Sequence, residues 1–199
     1  LGEIGNIMFG SAATALSTLL GKKVEITTPK VSAVARHNLS RTFPEPHVAV
    51  HVNFIDGFYG INLLVIRTTD AQVIADLMLG GSGHPQDAEL NEIHISAVQE
   101  AMNQMMGSAA TSMSTIFNRF VNISPPGVDI VDFGQEKANL LLTEDVYIQV
   151  SFRLTIGDLI DSNIMLLLPV WFAKEMVASL MGGGAEAAPA SAASSAAGP

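Results

Sequence analysis

The chain repeats itself, and nothing else in it constrains the fold as strongly. EIGNIMFGSAATALSTLLGKKVEITTPKV, starting at Glu3, aligns with EAMNQMMGSAATSMSTIFNRFVNISPPGV, starting at Glu100, at a constant offset of 97 and without a gap. Glu, Asn, the run Gly-Ser-Ala-Ala-Thr, Ser-Thr, Val, Ile, Pro and a closing Val coincide, which chance does not produce over such a length. A second pairing follows: INLLVIRTTDAQVIADLMLGG from Ile61 against IMLLLPVWFAKEMVASLMGGG from Ile164, at an offset of 103. Self-similarity of this kind means that one supersecondary unit is used twice and that the copies complete each other's core.

Periodicity changes type within each copy. Ile4, Met8, Ala15 and Leu19 recur near 3.6 residues and predict a helix over about residues 2–21. Alternating β-branched runs follow: KVEIT, HVAVHVNFI and INLLVIR in the first half, FVNIS, VYIQVSFRL and NIMLLL in the second. TTDAQVIADLMLGG and VWFAKEMVASLMGGG close the halves as helices, with Asp70 read as an N-cap and Gly80 as the stop. The joining stretch from Pro85 to Phe120 reads as a short turn helix entering a long one. The fold class is therefore α/β (α+β), a pseudo-twofold duplication of helix, antiparallel strands and closing helix. The expected domain runs over 1–184, with repeats at about 1–82 and 88–184. Residues 185–199, rich in Ala, Ser, Gly and Pro, read as a flexible linker. Together with the abrupt start, this tail suggests the middle domain of a longer protein.

Composition removes several function classes. Ten Lys and Arg against nineteen Asp and Glu give a net charge of −9, which disfavours a nucleic-acid backbone or an anionic membrane and favours a partner with a basic rim. No apolar run approaches the ~20 residues of a membrane span, and the absence of cysteine fits a reducing compartment. The loop LGGSG at Leu79 to Gly83 lacks the Lys-Ser/Thr of a P-loop and reads as a helix-ending turn. His37, His47, His51, His84 and His94 have no ligand spacing, so no metal is assigned. The serines lack a G-x-S-x-G elbow. Met102, Met105 and Met106 read as core.

On a helical wheel, Ile4, Ile7, Met8, Ser11, Ala12, Ala15 and Leu19 form one arc, taken as core-facing. Glu3, Asn6, Gly10, Ala13, Thr14 and Ser17 form the other. The second copy repeats this outward stripe as Glu100, Asn103, Gly107, Ala110, Thr111 and Ser114, with Ser96 one turn earlier. A lone Glu and Asn at i, i+3 is ordinarily a solvated pair. Yet Gly10 and Gly107 each cost about 1 kcal/mol relative to Ala inside a helix, and the same letters recur in register in both copies. The stripe reads as a docking surface of small residues, Gly10, Ala13, Ser17, Gly107, Ala110 and Ser114, around two polar pairs. Pro29 and Pro126, in register, read as strand-ending prolines that shape this site.

Ser96, Glu100, Asn103 and Pro126 match the spacing D/S-x3-E-x2-N-x22-P, and Glu3, Asn6 and Pro29 match all but its first position, which would precede Leu1. In this the chain resembles the CheC-type phosphatases of bacterial chemotaxis, over essentially everything up to Gly184. The resemblance implies hydrolysis of the aspartyl phosphate of phosphorylated CheY, with Asn6 and Asn103 orienting the attacking water and Glu3 and Glu100 pairing with the regulator's lysine. It implies no cofactor of its own, because the regulator supplies Mg²⁺. Asn suits this chemistry, since its neutral amide donates and accepts hydrogen bonds and approaches a phosphoryl group without the repulsion a carboxylate meets. Flagellar members of the family further imply the switch proteins FliM, FliN and, through a GGxG loop, FliG as partners, at the cytoplasmic face of the flagellar basal body. A mainly structural rotor module and a free-standing phosphatase are the alternative readings.

Overall fold

The two long helices meet at one pair of serines, and this contact organises the molecule. In the computed structural model, which describes residues 2–85, 89–135 and 142–181, α1 spans Gly2–Leu20 and α4 spans Glu92–Phe117. The Ser11 hydroxyl lies 2.7 Å from that of Ser108, its counterpart at the offset of 97, and the Ser108 hydroxyl also donates to the Ser11 carbonyl at 3.1 Å. Each serine touching its own equivalent marks the pseudo-twofold axis.

Between the long helices run β1 (Val24–Ala35), a 3₁₀ turn (Arg36–Asn38), the one-turn α2 (Leu39–Thr42), β2 (His47–Asp56), β3 (Gly60–Arg67) and α3 (Thr68–Met78). After α4 come β4 (Asn122–Ile123), β5 (Gly127–Val131), β6 (Val146–Ile156), β7 (Ile160–Pro169) and α5 (Val170–Met181). The 3₁₀ turn and α2 have no expected counterpart, being too short to carry a period. Asn91 caps α4 in a reciprocal box with His94, accepting from the His94 amide at 3.0 Å. The expected turn helix ahead of it falls partly on residues 86–88, and the expected linker on 185–199; both lie outside the described residues.

The strands form a single antiparallel sheet in the order β1-β6-β7-β3-β2-β4, with β5 also paired to β2. At its centre Leu64 pairs with Leu166, and both face the helices, so they are structural equivalents. This makes the offset here 102, in agreement with helix starts at Thr68 and Val170, and corrects the expected 103. A slip of one residue would turn every side chain to the opposite face.

Helices α1, α3, α4 and α5 cover one face and bury a large core in which Met102, Met105, Met106, Phe9 and Phe152 are sealed from solvent. Each such side chain contributes roughly 1.5–3 kcal/mol of hydrophobic free energy. The opposite face carries a smaller core of Leu39, Phe43, Val65, Phe133, Tyr147 and Leu167, closed in part by α2.

Helix α3 begins at Thr68, so Asp70 is a buried carboxyl inside its first turn and not the N-cap; Arg67 occupies the cap position without a side-chain bond. Gly80 does end the helix. At φ +87° its amide bonds the Leu77 carbonyl while the Gly81 amide bonds that of Asp76, a Schellman arrangement that only glycine enters cheaply. The Gly83 amide then donates to the Asp76 carboxylate at 2.7 Å, folding the loop back on its helix.

Candidate functional site

Helix α1 holds Glu3, Asn6, Gly10 and Thr14 along its solvent face, and α4 holds Ser96, Glu100 and Thr111 in the same way, with Asn103 and Gly107 half-exposed. Glu and Asn three residues apart lie on adjacent turns of one face. Among the described residues, neither the Asn6 nor the Asn103 amide has a hydrogen-bond partner, so two side chains that can both donate and accept face outward uncommitted. Each Asn stands five residues before the serine at its helix's crossing point. The axis passes through the crossing and the sheet centre, so it carries the two pairs to opposite sides of that crossing.

A Cβ added to Gly10 or Gly107 would meet nothing within 4 Å. The chain's own packing therefore gives no reason for glycine at either position, and what the missing methyl spares is space outside the molecule. Thr14 and Thr111 return their hydroxyls to the carbonyls of these glycines, at 3.3 and 3.1 Å, which keeps the stripe low.

Four members of the expected docking surface do other work. Ala13 and Ala110 are each only 5% exposed and belong to the main core, because each long helix packs on both the sheet and its twin and so buries a wider arc than a single face. Ser17 bonds the Lys22 carbonyl and the Val24 amide, at 2.9 and 2.7 Å, and Ser114 bonds the Val121 amide at 2.9 Å. Both hydroxyls stitch the helix end to the strand that follows. Conversely Ile7, expected in the core, is 54% exposed beside Asn6, and Leu19 is 38% exposed.

The prolines also differ from expectation. Pro29 does not end a strand. It lies within β1 at an irregularity between Thr27 and Lys30, on the edge of the sheet, where its missing amide hydrogen costs no ladder bond. Pro126 occupies the matching break between β4 and β5. There its carbonyl accepts from Gln99 Nε2 at 2.8 Å, tying the bulge to the turn of α4 that carries Glu100.

One residue that sequence reasoning passes over separates the copies. Gln104 donates to Glu100 Oε1 at 3.1 Å. The equivalent position in α1 is Ile7, so Glu3 has no such neighbour. The mismatch is visible in the repeat alignment, as a change of type inside an otherwise matching stretch. No group of three or more His, Cys, Asp or Glu among the described residues is arranged to hold a metal ion, and no described helix is long and apolar enough to cross a membrane.

The family model described as the CheC-like family matches residues 1–33 and 93–130, the segments that carry both long-helix motifs and both prolines. The flagellar motor switch phosphatase FliY of Bacillus subtilis (strain 168) is 58% identical over 182 residues, which are 91% of this chain and 48% of that protein. The chain thus spans about half the length of this relative. The crystal structure of Thermotoga maritima FliY superposes with a TM-score of 0.84 at 40% identity, covering 91% of this chain and 93% of that one. A chain in the FliG-FliM complex from H. pylori superposes with a TM-score of 0.71 at 18% identity over 89% of this chain and 94% of that one, a likeness of fold alone. Agreement in the motif helices, in sequence and over nearly the full length of a solved FliY chain means that this protein belongs to the CheC-like family, alongside the FliY proteins.

Proposed function

We propose that the chain hydrolyses the aspartyl phosphate of a phosphorylated CheY-type response regulator at the flagellar switch, and so helps end the chemotactic signal. The observation that carries this reading is the pair of uncommitted asparagines, exposed Asn6 and half-exposed Asn103, each one turn beyond an exposed glutamate on a helix face kept low by glycine. The name of the B. subtilis relative, a flagellar motor switch phosphatase, supports it.

The chemistry asks little of the catalyst beyond geometry. Phosphoryl transfer to water proceeds through a transition state whose charge lies on the equatorial oxygens, so acceleration comes from positioning and electrostatics. Asn6 or Asn103 would hold the attacking water in line, its Oδ1 accepting a hydrogen bond from the water and its Nδ2 donating to the phosphoryl group, while the bond from phosphorus to the regulator's aspartate oxygen breaks and the carboxylate leaves. Glu3 or Glu100 would pair with the regulator's lysine and fix the register of docking. The Mg²⁺ that neutralises phosphoryl charge belongs, in this reading, to the regulator.

The test is phosphate release from the phosphorylated regulator. An Asn6→Ala/Asn103→Ala double variant that is folded by circular dichroism should lose about 100-fold or more in rate, the scale of a lost positioning group. Wild-type activity in that variant would sink the assignment.

The words flagellar motor switch in the name of the B. subtilis relative favour a second role in the same place, a ring module that holds neighbouring switch proteins such as FliM, FliN or FliG at the cytoplasmic face of the basal body. Co-purification of the double variant with those proteins separates the roles: binding retained without hydrolysis means that the chain does both.

A further inference from the structure

The two central strands, β3 and β7, pair only from Leu63 to Val65 against Met165 to Leu167 and part beyond either end. The two ends of this seam are treated differently. At one, the Trp171 ring lies so close to Gly60 that a Cβ there would come within 2.5 Å of it, and its Nε1 donates to Glu144 at 3.3 Å. By the offset of 102 the matching residues at the other end are Thr69 and Ser162. These are too small to close the gap, and a cavity of about 500 Å³ remains, within the range of small-molecule sites.

Its lining is rich in uncommitted donors. The Arg67 guanidinium has no ion pair or hydrogen bond with a described residue, and neither has the side-chain amide of Gln149 or Asn163. His47 Nδ1 lies 2.7 Å from the Glu45 carbonyl and so carries the ring proton it donates, which makes Nε2 of the neutral ring an acceptor and adds no donor to the cavity. Of the acids, Asp161 is held by both Nε and Nη2 of Arg153 at 2.9 and 2.8 Å, and Glu45 is exposed at the rim. In the wall, Ser162 is 8% exposed and its hydroxyl acts on the carboxyl of the buried Asp70 behind it, so the two polar groups are set against each other.

We propose that this cavity binds a small anionic molecule, a carboxylate or phosphate compound, whose charged group lies against Arg67 and the Gln149 and Asn163 amides, with Ser162 in hydrogen-bonding reach. An unpaired guanidinium with amide donors around it is the planar, multidentate arrangement such anions need. The site is on the sheet seam, away from Glu3, Asn6, Glu100 and Asn103, and does not depend on the phosphatase reading.

The test titrates the ¹⁵N-labelled chain with inorganic phosphate in one arm and succinate in the other, following backbone amides by NMR. Saturable shifts at Arg67 and at Asp161 to Asn163 are expected in at least one arm, and the arm that saturates identifies the headgroup. Arg67→Gln should weaken binding about tenfold or more, the scale of one charge-assisted bond, with the rate of regulator dephosphorylation unchanged. Thr69→Trp/Ser162→Gly copies the closed end of the seam into the open one and should abolish binding. No saturable shift in either arm, or shifts of equal strength in Arg67→Gln, overturns the proposal.

Discussion

The two halves of the molecule share a frame and differ where the frame meets solvent. Each offers Glu, Asn and Gly along a long helix, and each breaks its first strand at a proline. But Glu100 is engaged by Gln104, while Glu3 stands beside exposed Ile7. Gln99 ties the second bulge to its helix, and the equivalent position in the first half is Gly2. At the seam, Asp70 stands where the other half has fully buried Phe172. The lesson is that the shared letters keep the helix crossing and the motif, and the differences lie beside them: an exposed Ile7 next to Glu3 against a Gln104 bonded to Glu100, and a buried carboxyl at one end of the seam against a buried ring at the other.

Removing the asparagines one at a time sharpens this comparison most. If the sites work independently, the rates of Asn6→Ala and Asn103→Ala should sum to that of the parent, and both should exceed the double variant by about tenfold or more; a single variant that alone abolishes phosphate release breaks the idea of two working sites. Exchanging the neighbours comes next. With Asn6→Ala as background, Gln104→Ile frees Glu100 and should raise docking affinity a few-fold, about the strength of one helical side-chain pair, as read from KM. Unchanged KM would mean that the Gln104 bond is irrelevant to docking. Gly10→Ala and Gly107→Ala should each stabilise the chain by about 0.5–1 kcal/mol in urea unfolding while lowering the rate, because the added methyl stands where the partner approaches. Stabilisation with full activity would remove the glycines from the docking surface.

The smallest effect concerns Asp70. Burial pushes its carboxyl above the usual range, against the opposing influence of the Ser162 hydroxyl and then of Arg67 and His47. The folded state thus holds this proton more tightly than the unfolded one. Its contribution is greatest below the unfolded carboxylate range and is lost as pH rises through the folded pKa. Asp70→Asn should flatten that part of the stability profile between mildly acid and neutral pH. An unchanged profile would show that Asp70 ionises as freely as it does unfolded.

Most of the architecture is legible because the chain states it twice: a strand pattern ambiguous in one copy is decided by the other. What escapes is phase. A helical wheel orders residues around an axis but cannot say how wide the buried arc is. Ile7 and Ala13 exchange roles because α1 packs on α4 as well as on the sheet, and the small side chains that look like a landing surface are also what permits close helix packing. Pro29 reads as an end because proline usually interrupts a ladder, and only the sheet order reveals an edge that tolerates it. The one-residue error in the second offset arises because the centres of β3 and β7 are buried on both faces, so their apolar runs carry no alternation to fix the register, which only the pairing of Leu64 with Leu166 settles. The polar pairs follow from spacing and resemblance, but the Gln104 bond needs coordinates.

The strand order has a further consequence. The first strand of each half lies against the hairpin of the other, β1 on β6 and β5 on β2. Neither half completes its own sheet, so the first repeat expressed alone would expose both a bare strand edge and the apolar face around Ser11, and it should elute in size-exclusion chromatography as a pair. Joining two such units in one chain makes that association intramolecular, at an effective concentration in the millimolar range. It also makes folding wait on contacts far apart in sequence. Once fused, the copies no longer had to be identical, and each outward face was free to change without its twin.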